Sequence, residues 1–184
     1  MKKTSTYIDG LYVIKNTPFL DNRGKFFELW NEANFQKENL KMDFFQDNLS
    51  ISKKNVLRGL HFQKNPHGQI KYVQVIKGKV LDVAVDIRKK SKTYGKHFAI
   101  ELSEKKHNAL WIPEGFAHGF LALEDENIFL YKCSGKYNPK AECTIKWDDS
   151  ELAIKWGISN PIVSEKDNRG VSFQTYRESN SIKG

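Results

Sequence analysis

Residues 70–87 read IKYVQVIKGKVLDVAVDI. Val and Ile dominate both halves, and Lys77-Gly78-Lys79 separates them. Such residues fit a pleated, half-buried surface. Strands are therefore expected at 70–76 and 80–87, joined by a short hairpin turn at Lys77-Gly78-Lys79. In the second strand, alternation puts Asp82 and Asp86 on one face with Val80 and Ala84. Leu81, Val83, Val85 and Ile87 share the other face. Two readings stay open: a polar face in solvent, or a polar, ligand-holding interior.

Further strands are expected on both sides. Residues 44–52 (FFQDNLSIS), 98–102, 109–112, 120–123 and 128–133 are short apolar-rich runs. Tyr94-Gly95, Pro113-Glu114-Gly115 and Asp125-Glu126-Asn127 punctuate them as turns. The first twenty residues alternate loosely and read as one or two strands. A turn from Asp21 to Gly24 leads into a strand holding Phe26, Phe27 and Leu29. The best helix is short, NEANFQKENL at 31–40, with Asn31 as its cap. Many short strands at this spacing imply a β-sandwich or barrel. A βαβ architecture needs helices between strands, and they are missing.

The 184 residues make one domain, 1–184, long enough for a real core. Twelve Phe, seven Tyr and four Trp mark a globular chain rather than a disordered one. No apolar run is long enough for a membrane span. Two lysines open the chain as in an export signal, but Asp9, Gly10, Lys15 and Asn16 interrupt any apolar core of one. Cys133 and Cys143 match neither a CxxC pair nor a zinc site, and read as reduced thiols of a cytosolic protein. The net charge of +8 fits either nucleic acid or steering of a small anion into a cleft. The lysines are scattered, without a basic stripe, so nucleic acid is set aside.

LRGLHFQKNPHGQIKYVQV, residues 57–75, gathers Arg58, His61 and Lys71 around a Pro66-His67-Gly68 break. A base among cations suits an anionic substrate; strand, polar loop and strand is the plainer reading. His67, His97 and His107 sit by turns or lysines and read as surface residues. His61 and His118 are embedded in apolar runs, GLHF and FAHGF. PEGFAH, residues 113–118, fits the Pro-x-Gly-x-x-His motif of the cupin barrel. Phe62 and Gln63 follow His61, so the His-x-His pair of metal-binding cupins is absent, and no metal is expected.

The ordered motifs RGLHFQ, QIKYV, LDVAVDIR, LWIPEGFAHGF, FLYKCSGKYNPKAE, IKWDD and VSEKD resemble the dTDP-4-dehydrorhamnose 3,5-epimerase family over about 21–167. The resemblance implies an all-β, cupin-type jelly-roll β-barrel with a few short helices. It also implies a homodimer without cofactor, acting on a dTDP-linked 4-keto-6-deoxyhexose; the cytoplasmic location is expected from the reduced cysteines and the interrupted export signal. By the same resemblance His61 is the base and Asp167 its carboxylate partner. Lys71 faces the enolate oxygen and Tyr131 is the acid. Arg23 and Arg58 hold the diphosphate, and Tyr137 stacks on thymine. Phe26, Glu28, Gln46, Asp47, Asn48, Glu142 and Lys166 are further substrate contacts, and His118 lines the sugar pocket. The chain departs from the family at Phe62, where many members have Tyr, and in the SGKY run before the stacking tyrosine. A single-centre epimerase or ketoisomerase on a related sugar nucleotide is the nearest alternative. A metal-dependent cupin and a non-catalytic binding barrel are the others.

Overall fold

The structure, a computed structural model, describes residues 1–181. In chain order the elements are β1 (Lys2–Ser5), β2 (Tyr12–Lys15), β3 (Phe19–Asp21), β4 (Gly24–Phe26), α1 (Glu32–Lys37), β5 (Phe44–Ser52), β6 (Leu57–Gln63), β7 (Lys71–Lys77), β8 (Lys79–Asp86), β9 (His97–Ser103), β10 (Asn108–Ile112), β11 (Phe116–Ala122), β12 (Asn127–Ser134), β13 (Glu142–Thr144), α2 (Glu165–Asn168) and α3 (Phe173–Ser181). One sheet has the order β1-β2-β10-β7-β12-β5, and a second has the order β13-β6-β11-β8-β9. The β3–β4 hairpin stands apart. This is the all-β jelly-roll expected, but the two sheets face each other without closing into a barrel.

Lys77-Gly78-Lys79 is not a hairpin. β7 pairs with β10 and β12, whereas β8 pairs with β9 and β11. At Gly78 (φ +81°) the chain crosses from one sheet to the other. A Cβ there would sit 2.4 Å from the Glu126 carbonyl oxygen, so the corner requires glycine. A tight turn between two alternating strands has the same sequence signature whether the strands pair or pack face to face. Here they pack. Val73 and Val75 meet Val80 and Ala84 in the core between the sheets.

That packing settles the face of β8. Asp82 and Asp86 point inward and are fully buried. The opposite face, with Val83 and Val85, is covered by Trp156, Phe173 and Tyr176 from the C-terminal segment. Asp86 is satisfied locally, accepting hydrogen bonds from Arg88, Ser91 and Thr93.

The N-terminal region differs in one respect from expectation. The strand after Gly24 ends at Phe26, and Phe27 leaves it to pack on His107 at 4.7 Å. Trp30 then enters an aromatic cluster with Phe35, Tyr72 and Trp111 on the outside of the six-stranded sheet. Asn31 caps α1 as expected, its Oδ1 accepting from the Asn34 amide at 3.1 Å. At the β5 edge of that outer face Phe45, Leu49 and Ile51 are exposed.

Two glycines bring the site strands together. A Cβ on Gly59 (φ +132°) would lie 2.5 Å from the Gly119 Cα. This close approach of β6 and β11 puts His61 and His118 opposite each other as register partners.

Candidate active site

A cleft of about 250 Å³ opens between the sheets. His61 enters it from β6 of the five-stranded sheet. Lys71 and Tyr131 enter from β7 and β12 of the six-stranded sheet. Gln46, Asn48, Tyr137 and Glu142 complete the set of expected residues that line it.

His61 Nε2 lies 2.5 Å from Asp167 Oδ1. Asp167 is almost wholly buried, and its other oxygen accepts the Gly59 amide at 3.3 Å. Ser164 caps α2 and presents Asp167 on the first turn, with Ser164 Oγ accepting the Asp167 amide at 3.1 Å. Burial pushes the Asp167 carboxyl upward. The hydrogen bonds from His61 and Gly59 outweigh that and hold it below the usual range. The carboxylate is thus placed to orient the ring and to stabilise an imidazolium.

On the facing wall, burial raises the Tyr131 phenol above its ordinary value, so it stays protonated and able to donate. The Lys71 ammonium donates to the His61 carbonyl at 3.4 Å, bridging the two sheets. Burial lowers its pKa; Cys133, Asp82 and Glu142 pull the other way. At the rim, Tyr137 donates to Glu142 at 2.8 Å, and Lys166 pairs with Glu142 at 2.6 Å. Arg58, exposed, borders an adjoining groove with His61, Lys166 and Asp167.

Not every expected residue arrives. His118 does not line the cleft: it is buried, and its Nε2 is 2.9 Å from Asp82. The side chain of Asp47 leaves by the outer face of β5 and pairs with Lys132 at 2.8 Å, because successive strand residues alternate. Arg23 is bound to Asp21 at the exposed β3–β4 turn. Phe26 is 67% exposed on the same hairpin, and Glu28 accepts from Asn31 and Asn34. None of these three reaches the cleft of its own chain. The cleft also holds Cys133, Gln63 and Gln69, which sequence reasoning did not select. Cys133 is two residues beyond Tyr131 on one strand, so the strand period was the available signal. Phe62 also borders the cleft, while its ring packs on Tyr176 at 5.0 Å. Among the described residues no metal-binding group of His, Cys, Asp or Glu is present.

A jelly-roll cleft with a carboxylate-backed imidazole on one wall and a phenol and a lysine on the other defines a proton-transfer enzyme of the cupin type. Residues 5–175 match the family model described as dTDP-4-dehydrorhamnose 3,5-epimerase. A relative of that name from Methanothermobacter thermautotrophicus is 48% identical, with 88% of this chain and 89% of the relative covered. One from Shigella flexneri is 44% identical, with 94% and 96% covered. A solved structure, the dTDP-6-deoxy-D-glucose-3,5-epimerase of Legionella pneumophila in complex with dTDP-4-keto-L-rhamnose, superposes with a TM-score of 0.90 at 39% identity, covering 94% of this chain and 93% of that one. The chain belongs to the dTDP-4-dehydrorhamnose 3,5-epimerase family, a family of isomerases.

Proposed function

We propose that this protein inverts C3 and C5 of dTDP-4-dehydro-6-deoxy-D-glucose to give dTDP-4-dehydro-L-rhamnose. The observation that carries this reading is that His61 and Tyr131 enter one cleft from opposing sheets. A sugar ring between the walls meets a base on one face and an acid on the other. Its C4 ketone acidifies the C–H bonds at C3 and C5. His61 takes a proton, leaving an enolate; the new imidazolium is stabilised by Asp167. The Lys71 ammonium offsets the charge on the enolate oxygen. Tyr131 returns a proton from the other face, and inversion results. The substrate supplies its own activating carbonyl, so the scheme needs neither cofactor nor metal.

The nucleotide lies toward the rim in this reading, with Arg58 on the diphosphate and Tyr137 on the thymine. The protein acts as a homodimer in the cytoplasm. The exposed apolar residues of β5 and of the β3–β4 hairpin support the dimer. So does the distance of Arg23, Phe26 and Glu28 from their own cleft: these residues meet substrate by reaching the cleft of the partner.

Solvent deuterium exchange into the 4-keto sugar nucleotide tests the chemistry. Wild type is expected to exchange at C3 and C5, and His61→Ala to lose roughly 10²–10⁴ of the rate. Full exchange in His61→Ala would overturn the assignment. NMR of the product separates double inversion from a single-centre epimerase.

A further inference from the structure

Behind the cleft stands a second carboxylate–imidazole pair. His118 Nε2 is 2.9 Å from Asp82 Oδ2, and both side chains are buried. Holding His118 requires only one carboxylate oxygen. The other, Oδ1, is buried and accepts a hydrogen bond from no described residue. A buried carboxylate without a compensating partner is costly. On the facing sheet, Lys71 has the complementary deficit. Its ammonium donates to the neutral His61 carbonyl, and no described carboxylate lies within ion-pair distance of it.

The register points the two groups at the same space. Lys71 alternates with Val73 and Val75, and Asp82 lies between Val80 and Ala84; these four apolar residues form the inner core. Lys71 and Asp82 therefore project from opposing sheets into the same interior, where His61 and His118 are cross-strand neighbours. We propose that Asp82 is the interior counter-charge of Lys71, fixed in place by His118, and that it acts as a positioning residue keeping the lysine in its ammonium form during turnover. This rests on the epimerase reading, in which Lys71 faces the enolate oxygen.

The charge count is consistent with that role. Asp167 stands behind His61, which becomes cationic when it takes a proton, and Asp82 stands behind the cation already present. The other titratable groups facing Lys71 are His61 on β6, Tyr131 and Cys133 on β12, and Glu142 on β13. Glu142 is already paired with Lys166 and Tyr137. Burial favours the neutral amine, and the Asp82 charge opposes it. Removing that charge makes Lys71 lose its proton at lower pH.

The test is the pH profile of inversion by the full chain. In Asp82→Asn the alkaline limb of kcat is expected to move down by roughly one pH unit, with KM unchanged. Asp82→Ser, smaller and also uncharged, gives the same reading should asparagine fail to fit. In a Lys71→Arg background Asp82→Asn should no longer move it, because a guanidinium does not titrate there. An alkaline limb unmoved in both Asp82 variants, or a shift that persists with Arg at position 71, overturns the inference. Absence of exchange in wild type at every pH would instead overturn the epimerase reading beneath it.

Discussion

His61 and Asp167 are 106 residues apart in the chain, and their side chains meet at 2.5 Å. The carboxylate reaches the ring from the first turn of α2, a four-residue helix capped by Ser164. Asp167→Asn keeps the size of the side chain but removes the charge that, in the proposed mechanism, stabilises the imidazolium. Exchange at both C3 and C5 is expected to fall by roughly 10² or more, with substrate affinity little changed. An unchanged rate, measured by deuterium incorporation, would separate Asp167 from the chemistry.

Tyr131 faces His61 from the other sheet, and in the proposed mechanism removal and return of the proton use different walls. Tyr131→Phe takes away the donor and leaves the base. Proton removal should survive better than inversion, and deuterium wash-in should outrun formation of the L-sugar. The two rates are followed together by NMR. Inversion at the wild-type rate would exclude Tyr131 as the acid.

Arg23 stays outside the cleft of its own chain, and in the proposed dimer it reaches the cleft that holds the partner subunit's base. Arg23→Ala and His61→Ala should each be impaired. Mixed after reversible dissociation, they should regain about one quarter of wild-type activity, because half of the dimers are mixed and each of those holds one intact cleft. Sedimentation equilibrium measures the dimer itself. A monomer, or no recovery on mixing, counts against the exchange of hairpins.

Acid stability depends on Asp86. Burial pushes its carboxyl up, but bonds from Arg88, Ser91 and Thr93 prevail and hold it below the ordinary range. A carboxyl depressed in the folded state contributes stability that is present above the unfolded value, about 3.9, and lost as pH falls through the folded one. The melting temperature should therefore drop below about pH 4, and Asp86→Ala should flatten that dependence. At neutral pH the substitution is expected to cost about 2 kcal/mol. That is less than a fully buried pair, because Arg88 is 28% exposed.

Most strands were legible in the chain, because alternation and Val/Ile content act locally. Residues 44–52 form β5 as read, and the runs near 70, 80, 98, 109 and 128 differ only at their ends. The corner at Gly78 was not legible, since pairing and face-to-face packing demand the same glycine turn. Nor was the burial of Asp82, which depends on which sheet β8 joins. Sequence also placed His118 in the pocket. In the structure His118 faces the interior beside His61, but its ring is held by Asp82 and stays behind the cleft.

By itself the sequence determined the chemistry available: a histidine, a lysine and a tyrosine in ordered motifs on predicted strands. It also determined that these strands make an all-β fold, because side-chain period and backbone preference are local properties. Tertiary structure alone decided which groups meet. Asp167 reaches His61, Tyr131 faces it across the cleft, and Asp82 is buried beside His118, because the chain changes sheets at Gly78 and turns strands distant in sequence toward one interior. Arg23 and Phe26 stay out of their own cleft for the same kind of reason: the hairpin that carries them is not part of either sheet.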